Sequence, residues 1–400
     1  MENSMTPRSR LTTAALVAAA STGHVLYPGW LALASRRRPR PTVVDPVQWP
    51  AVTVLVAAYR ESQCIADKVR DAMENGYPGP LEVVVVAEGD LETAVRAEAA
   101  GATVLTADER LGKAQAINLG FSKATTPFVV VSDANNTLDP GAIAALVRHF
   151  GDPLVGAVAG EKVEADGGGE DLYWRFESWL KQREWRLGTT IGLVGELAAV
   201  RTDAWRPIPA DVAIDDLWTA LDLCGRGWRI AYEPSAKAHE PPHYSLDQQW
   251  ERRTRNVAGA LHVFRSRRSQ LGPTSGLVAI EMWGHRLARY TVVPLAHLAL
   301  VLGAVRRVRT SRTARLFLAG HALAALALAH KAGDGGTGAA GGDPGPVPAD
   351  RPPGRRGVLA LLGTLANALG QAVFLDAVAL GGLLRYLRGD RSTRWEKVRR

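Results

Sequence analysis

Apolar and polar positions follow two alternating rhythms along the first two-thirds of the chain. Short runs rich in Val, Leu and Ala at 52–58, 82–87, 103–105, 128–131, 155–163 and 197–201 predict buried strands. Helical spacing predicts helices at 61–73, through residue 100, and at 113–122, 170–186 and 217–224. Strands alternating with helices of this length predict an α/β fold, a mostly parallel sheet covered on both faces. Gly76-Tyr77-Pro78-Gly79-Pro80 supplies the turn before the second strand. Asp139 and Pro140 have the types expected at the N-cap and first position of a helix after the fourth.

Outside this region the apolar stretches are too long for strands. Residues 11–34 reach the length of about 20 that a bilayer crossing needs. Arg8 and Arg10 precede them, and Arg36, Arg37, Arg38 and Arg40 follow. That asymmetry predicts a retained anchor with the next domain in the cytoplasm. Runs at 290–305, 314–332 and 358–387 predict further membrane segments, separated by a Gly/Pro linker at 333–357. The Arg-rich loop at 306–315 opposes a full crossing by the run before it, so one run is expected to lie in the interface or re-enter. The chain thus divides into an N-terminal membrane anchor (1–40), a cytosolic α/β domain (41–270), interfacial and transmembrane helices (271–332), the linker (333–357), and a C-terminal membrane segment with a basic tail (358–400).

Composition refines this picture. The 400 residues carry a net charge of +8, but the arginines sit in blocks beside apolar segments. That placement fits a cell-membrane protein facing anionic lipid and argues against nucleic acid. Cys64 and Cys224 offer no disulfide framework. Trp174, Trp179 and Trp185, all within 170–186, read as core or membrane-interface packing.

Three motif matches carry no chemistry. His239-Glu240-Pro241-Pro242-His243 has the letters of a zinc-protease helix, but consecutive prolines forbid the helix. The glycine pattern at 336–341 lacks a preceding strand, and Asn135-Asn136-Thr137 is a glycosylation triplet only on the secretory side.

Polar groups at predicted strand ends and helix starts do form an ordered series. They are Ala57-Ala58-Tyr59-Arg60-Glu61, Glu88-Gly89-Asp90, Gly112-Lys113, Asp133-Ala134-Asn135, Gly192-Leu193-Val194-Gly195-Glu196 and Asp215-Asp216. In open α/β sheets ligands bind at this edge. An Asp two residues before another oxygen donor can hold a divalent cation against a diphosphate. Moving a sugar from a nucleotide needs a base anchor, such a cation, and a carboxylate to deprotonate the attacking hydroxyl, and this series can supply all three.

In the order of these motifs, from about residue 52 to the C-terminal membrane segments, the chain resembles the membrane-bound family 2 glycosyltransferases. These are inverting GT-A enzymes that include cellulose and hyaluronan synthases. The resemblance implies a GT-A fold, a cytosolic site, a nucleotide-sugar donor, usually UDP-linked, and Mg²⁺ or Mn²⁺. It places Ala57, Tyr59, Glu61 and Glu88 near the donor base, with Glu88 where the family usually has Asp. Lys113, Asp133 and Arg252 also fall on the donor side, with Asp133 and Asn135 as metal ligands. Gly192, Gly195, Glu196 and Gln249 fall on the acceptor side; Asp216 is the base and Asp215 its assistant.

The chain departs from the family at Ala87, at Asn135 and at Arg253, which stands where processive members have Trp after Gln249 and Arg252. The function expected is therefore a single inverting transfer to a lipid-linked or membrane-proximal hydroxyl or saccharide acceptor. The alternatives are a processive polysaccharide synthase and a catalytically silent membrane scaffold.

Overall fold

The computed structural model describes residues 7–107, 110–164, 169–240, 246–334 and 355–390. Its eight strands are β1 (Val52–Tyr59), β2 (Leu81–Glu88), β3 (Thr103–Thr106), β4 (Phe128–Asp133), β5 (Thr137–Leu138), β6 (Val155–Glu164), β7 (Leu197–Arg201) and β8 (Arg229–Glu240). They form one sheet in the order β3-β2-β1-β4-β7-β6-β8-β5. The β3-β2-β1-β4 half is parallel, and the valines of β1, β2 and β4 are buried beneath the helices that follow β1, β2 and β3.

The sheet as a whole is mixed, which corrects the expectation of a mostly parallel one. β7 runs antiparallel to both β4 and β6, and β5 antiparallel to β8. The cause is the segment 188–196, which returns along the sheet edge instead of entering a strand directly. Thr190 N in that segment donates to Ile230 O at 3.1 Å. β7 therefore starts beside the C-terminal end of β4, with Leu197 opposite Ser132.

β8 and β5 have no counterpart in the predicted elements. β8 contains Pro234 and is interrupted against β6, where the register passes from Ala159↔Tyr232 to Glu161↔Lys237. The expected cap at Asp139 is also corrected. The helix begins at Ala142 behind Gly141, whose φ is +77°. Asp139 instead accepts from His239 Nε2 at 2.7 Å, which joins the β5 end to β8. His239 and Glu240 end that strand, and the rest of the discarded zinc pattern lies outside the described residues, as does the glycine pattern at 336–341.

Among the described residues, two helical stretches are long and apolar enough to cross a membrane, Leu277–Arg307 and Leu369–Leu387. The N-terminal segment expected as an anchor is not one of them; a π-helical turn, Thr22–Leu26, divides it into Pro7–Ser21 and Tyr27–Ser35. A second π-helical turn, Met282–Leu287, sits inside the first span. The two turns interlock through glycine. A Cβ on Gly23 would lie 2.2 Å from Arg289 Cγ, and one on Gly284 would lie 2.1 Å from Tyr27 Cδ2.

Buried polar groups finish the joint. Tyr27 Oη donates to Glu184 at 2.6 Å, and His285 bridges Glu184 and Glu177 at 2.7 and 2.9 Å. Gly381 and Gly382 let the second span approach the helix Leu246–Ser266 closely, against Trp250, Thr254 and Val257. The apolar core accordingly runs from the sheet into Met282, Leu287 and Val378 of the spans without a break.

Candidate active site at the sheet edge

Register brings the predicted residues together. Ala57 pairs with Asp133 and Tyr59 with Glu88, because β1 lies between β2 and β4 and all three end at one level. Beyond β1 the backbone turns at Arg60, a non-glycine residue at φ +54°. The Tyr59 ring covers Gly89, where a Cβ would come within 2.5 Å of it, and the Arg110 guanidinium lies 4.1 Å from the ring centroid. Glu88 is buried, and its Oε2 accepts from Leu111 N and Gly112 N, both at 3.1 Å. Its Oε1 has no protein partner among the described residues. Glu61 has a different place. Its carbonyl accepts from Cys64 and Ile65 N as the next helix begins, and its carboxylate lies 3.4 Å from Cys64 Sγ.

At the end of β4, Lys113 Nζ donates to Asp133 Oδ1 at 2.6 Å and to Gly195 O at 3.2 Å. Burial pushes the Asp133 carboxyl up and Lys113 pulls it back, leaving it at about 6. Burial opposes the charge on Lys113, but Asp133 and Asp215 outweigh it and hold the ammonium above the usual lysine range. Asp215 and Asp216 open the helix Asp215–Gly225 on the same cavity wall. Asp216 Oδ1 accepts from Leu217 N at 2.7 Å. Burial and then the neighbouring Asp215 push Asp216 up to about 7.

Glu196 behaves oppositely. Lys162 Nζ donates to its Oε1 at 3.0 Å, and despite burial Lys162 and Lys113 hold it down at about 2. Glu196 is thus held as an anion near the cation Lys113, whereas burial and Asp215 favour the protonated form of Asp216.

The cavity holding Lys113, Asp133, Gly192, Gly195, Glu196, Asp215 and Asp216 has a volume of about 210 Å³ and continues past Arg252 to the membrane spans at Arg286, Arg289 and Asp376. Gln249, one helical turn before Arg253, is not on its wall, and neither are Ala57, Tyr59, Glu61, Glu88 or Asn135. The first-strand group and Glu88 form a separate patch along the edge.

Several residues that shape the site were not singled out in the sequence. Buried Lys68 donates to Asn136 Oδ1 at 2.6 Å, and Asn136 Nδ2 donates to Glu196 O at 2.8 Å. This clamp fixes the turn that carries Asp133 and Asn135. Lys162 also pairs with Glu240 at 2.6 Å and lies over the Trp174 ring at 4.8 Å. Trp174, expected to be packing, lines the cavity. Asn136 had a signal in a discarded glycosylation triplet and Trp174 in a tryptophan-rich helix; Lys68 and Lys162 are brought in by tertiary structure.

The donor set suits a hard cation shared with a diphosphate. Asp133 offers a carboxylate and Asn135, two residues on, an amide oxygen. No group of three or more His, Cys, Asp or Glu forms a cage among the described residues. Mg²⁺-type sites that borrow phosphate oxygens need only one or two protein carboxylates, so these residues fit that mode.

A GT-A-like sheet with carboxylates at its edge defines a nucleotide-sugar-dependent class of transferase. The chain belongs to glycosyltransferase like family 2, which residues 50–259 match. Among curated proteins it is 25% identical over 227 residues to the poly-beta-1,6-N-acetyl-D-glucosamine synthase of Staphylococcus aureus, covering 53% of this chain and 55% of that one. It is 21% identical over 231 residues to the Staphylococcus epidermidis protein of the same name, covering 54% and 56%. The chain therefore spans about half the length of the curated relatives it matches. In fold it is similar to the mannosyltransferase PcManGT from Pyrobaculum calidifontis, solved with GDP-Man and Mn²⁺, with a TM-score of 0.71, 24% identity, and coverage of 95% and 99% of the two chains.

Proposed function

We propose that this protein moves a sugar, with inversion, from a nucleotide-sugar donor, UDP-linked by the family's usual preference, to a hydroxyl of a membrane-proximal acceptor, and that Asp216 is the base. The observation that carries this is the cavity itself. It sets Asp216, whose carboxyl burial and Asp215 push up to about 7, beside the Lys113–Asp133 pair and leads onward to apolar spans.

In this reading the nucleobase lies at Tyr59 and Glu88, whose buried Oε1 has no protein partner among the described residues. Asp133 and Asn135 would hold Mg²⁺ or Mn²⁺, which would neutralise the leaving diphosphate. Lys113 steadies the Asp133 carboxylate and the Gly195 carbonyl, and Asp216 takes the acceptor proton. Arg252 reaches the cavity from the helix Leu246–Ser266 on the side of Glu196.

The curated relatives are named as polysaccharide synthases, which supports repeated addition over the single transfer expected from Arg253. The convergence of Lys113, Asp133 and Asp216 on one cavity supports a working enzyme over a silent scaffold. The Arg asymmetry around residues 11–34 supports a membrane anchor there, with the site on the cytoplasmic face.

The test is to incubate the purified protein in lipid with a panel of nucleotide sugars, measure nucleoside diphosphate release, and size the glycan product. Release from one donor class with a growing product is the expected result. Release from none would sink the proposal.

A further inference from the structure

At its membrane end the active-site cavity meets Asp376, whose side chain is 14% exposed. Its Oδ2 contacts His297 Nδ1, His297 Nε2 lies 2.8 Å from His321 Nε2, and His321 Nδ1 lies 2.8 Å from the carbonyl of Phe317. A carbonyl only accepts, so His321 Nδ1 carries a hydrogen; each of the other two contacts needs one more. Three protons on this chain make the three side chains neutral together, whether the carboxylate is charged against one imidazolium or protonated beside two neutral rings. That neutrality explains how three ionisable groups sit among apolar helices, where an isolated charge is strongly disfavoured.

Helix-to-helix bonding alone would not require the carboxylate to stand on the cavity wall. The same cavity is lined by Tyr173 and Trp174, and the indole Nε1 of Trp174 has no protein partner among the described residues. An aromatic face, a waiting N–H donor and a carboxyl group held by His297 together suit the faces and hydroxyls of a sugar ring. We propose that Asp376 binds hydroxyls of a saccharide acceptor, and that His297 and His321 are positioning residues that fix its carboxylate. This deepens the transfer reading above by assigning the residues that hold the acceptor at the membrane end of the cavity, and it rests on that reading.

The test uses the full chain in phospholipid nanodiscs, with cellobiose and N,N′-diacetylchitobiose as probes and saturation-transfer NMR as a readout that needs no turnover. The parent and Asp216→Asn should bind a disaccharide. Asp376→Ala should bind it about tenfold or more weakly, since the hydrogen bonds to its carboxyl group are lost. Asp376→Glu should recover part of the affinity, and His321→Leu should weaken binding by the folded protein. A purely structural role would instead lower the melting temperature and leave the affinity of the folded protein unchanged. Equal binding by Asp376→Ala overturns the proposal, as does a parent that binds undecaprenyl phosphate but neither disaccharide. A parent that binds the disaccharide yet releases no nucleoside diphosphate from any donor overturns the transfer reading instead.

Discussion

Asp215→Asn separates the two carboxylates that open one helix. In the parent, burial and then Asp215 raise Asp216 to about 7, so the base is half ionised near neutrality and turnover should climb through pH 7. Two unit charges roughly 5–6 Å apart at an effective dielectric of about 20–40 interact by about 1.5–3 kcal/mol, or about 1–2 pH units. Asp215→Asn should therefore move the acid limb of the rate profile down by about that much, with a modest loss at the plateau from a weaker base.

Asp216→Asn should lose about a hundredfold or more in transfer while keeping donor binding. Its stability supplies a second reading with a definite sign. A carboxyl raised in the folded state favours folding while it is protonated, and that advantage fades as pH rises from the ordinary carboxylate range through about 7. Asp216→Asn should then melt above the parent at pH 8 but level with it near pH 4, by at most about 4 kcal/mol at about 1.4 kcal/mol per pH unit. The assays are initial rates of nucleoside diphosphate release from pH 5 to 9, and thermal unfolding at the two pH values. An unmoved acid limb in Asp215→Asn, or near-parent turnover in Asp216→Asn, would refute the reasoning.

Turnover should require Mg²⁺ or Mn²⁺, and Asn135→Asp should lower the metal concentration for half-maximal rate by adding a charged ligand; full activity in excess chelator would remove the metal assignment. Glu88→Gln keeps one oxygen for the Leu111 and Gly112 amides but replaces its other acceptor with a donor, so donor KM should rise about tenfold with kcat unchanged; an unchanged donor KM would take Glu88 out of the base site. Gly284→Ala would set a Cβ 2.1 Å from the buried Tyr27 ring, at a cost of about 1–3 kcal/mol seen as a lower melting temperature; a parent-like melt would mean the π-turn joint gives way freely.

The parallel half of the sheet was legible because its strands are buried on both faces and read as continuous Val and Ala runs. The strand Leu197–Arg201 was placed to the residue for the same reason. β8 escaped because its pairing depends on a proline-containing interruption held from elsewhere. Glu233, at that interruption, accepts from Arg148 and Ser235 and contacts His149. No local pattern in residues 229–240 announces this. The antiparallel entry of β7 is likewise decided by the return path of 188–196, a loop whose Gly and Thr content specifies flexibility and not direction.

At the site, the sequence displayed what strand ends carry directly: Asp133, Lys113 and the Asp215–Asp216 pair all project where an α/β edge puts them. Partners supplied across the fold stayed hidden. Lys68 reads as one polar position of an amphipathic helix, yet its ammonium is buried against Asn136, where loss of hydration lowers it to about 8. The Asp71 carboxylate at 3.5 Å and the Asn136 carbonyl at 3.2 Å offset that cost. The Asn136 amide also reaches Glu196 O and Ser132 Oγ, so a single buried cation fixes the Asp133–Asn135 turn relative to β7. Gln249 shows the converse. Its motif position implied an acceptor contact, but the helix Leu246–Ser266 turns Arg252 and Arg253 toward the cavity and leaves Gln249 off its wall. Motif spacing specifies which residues share a helix; the close approach of that helix to Gly381 and Gly382 helps to specify which of them face the cavity. In the proposed reading, acceptor recognition is consequently set as much by the span Leu369–Leu387 as by the catalytic domain.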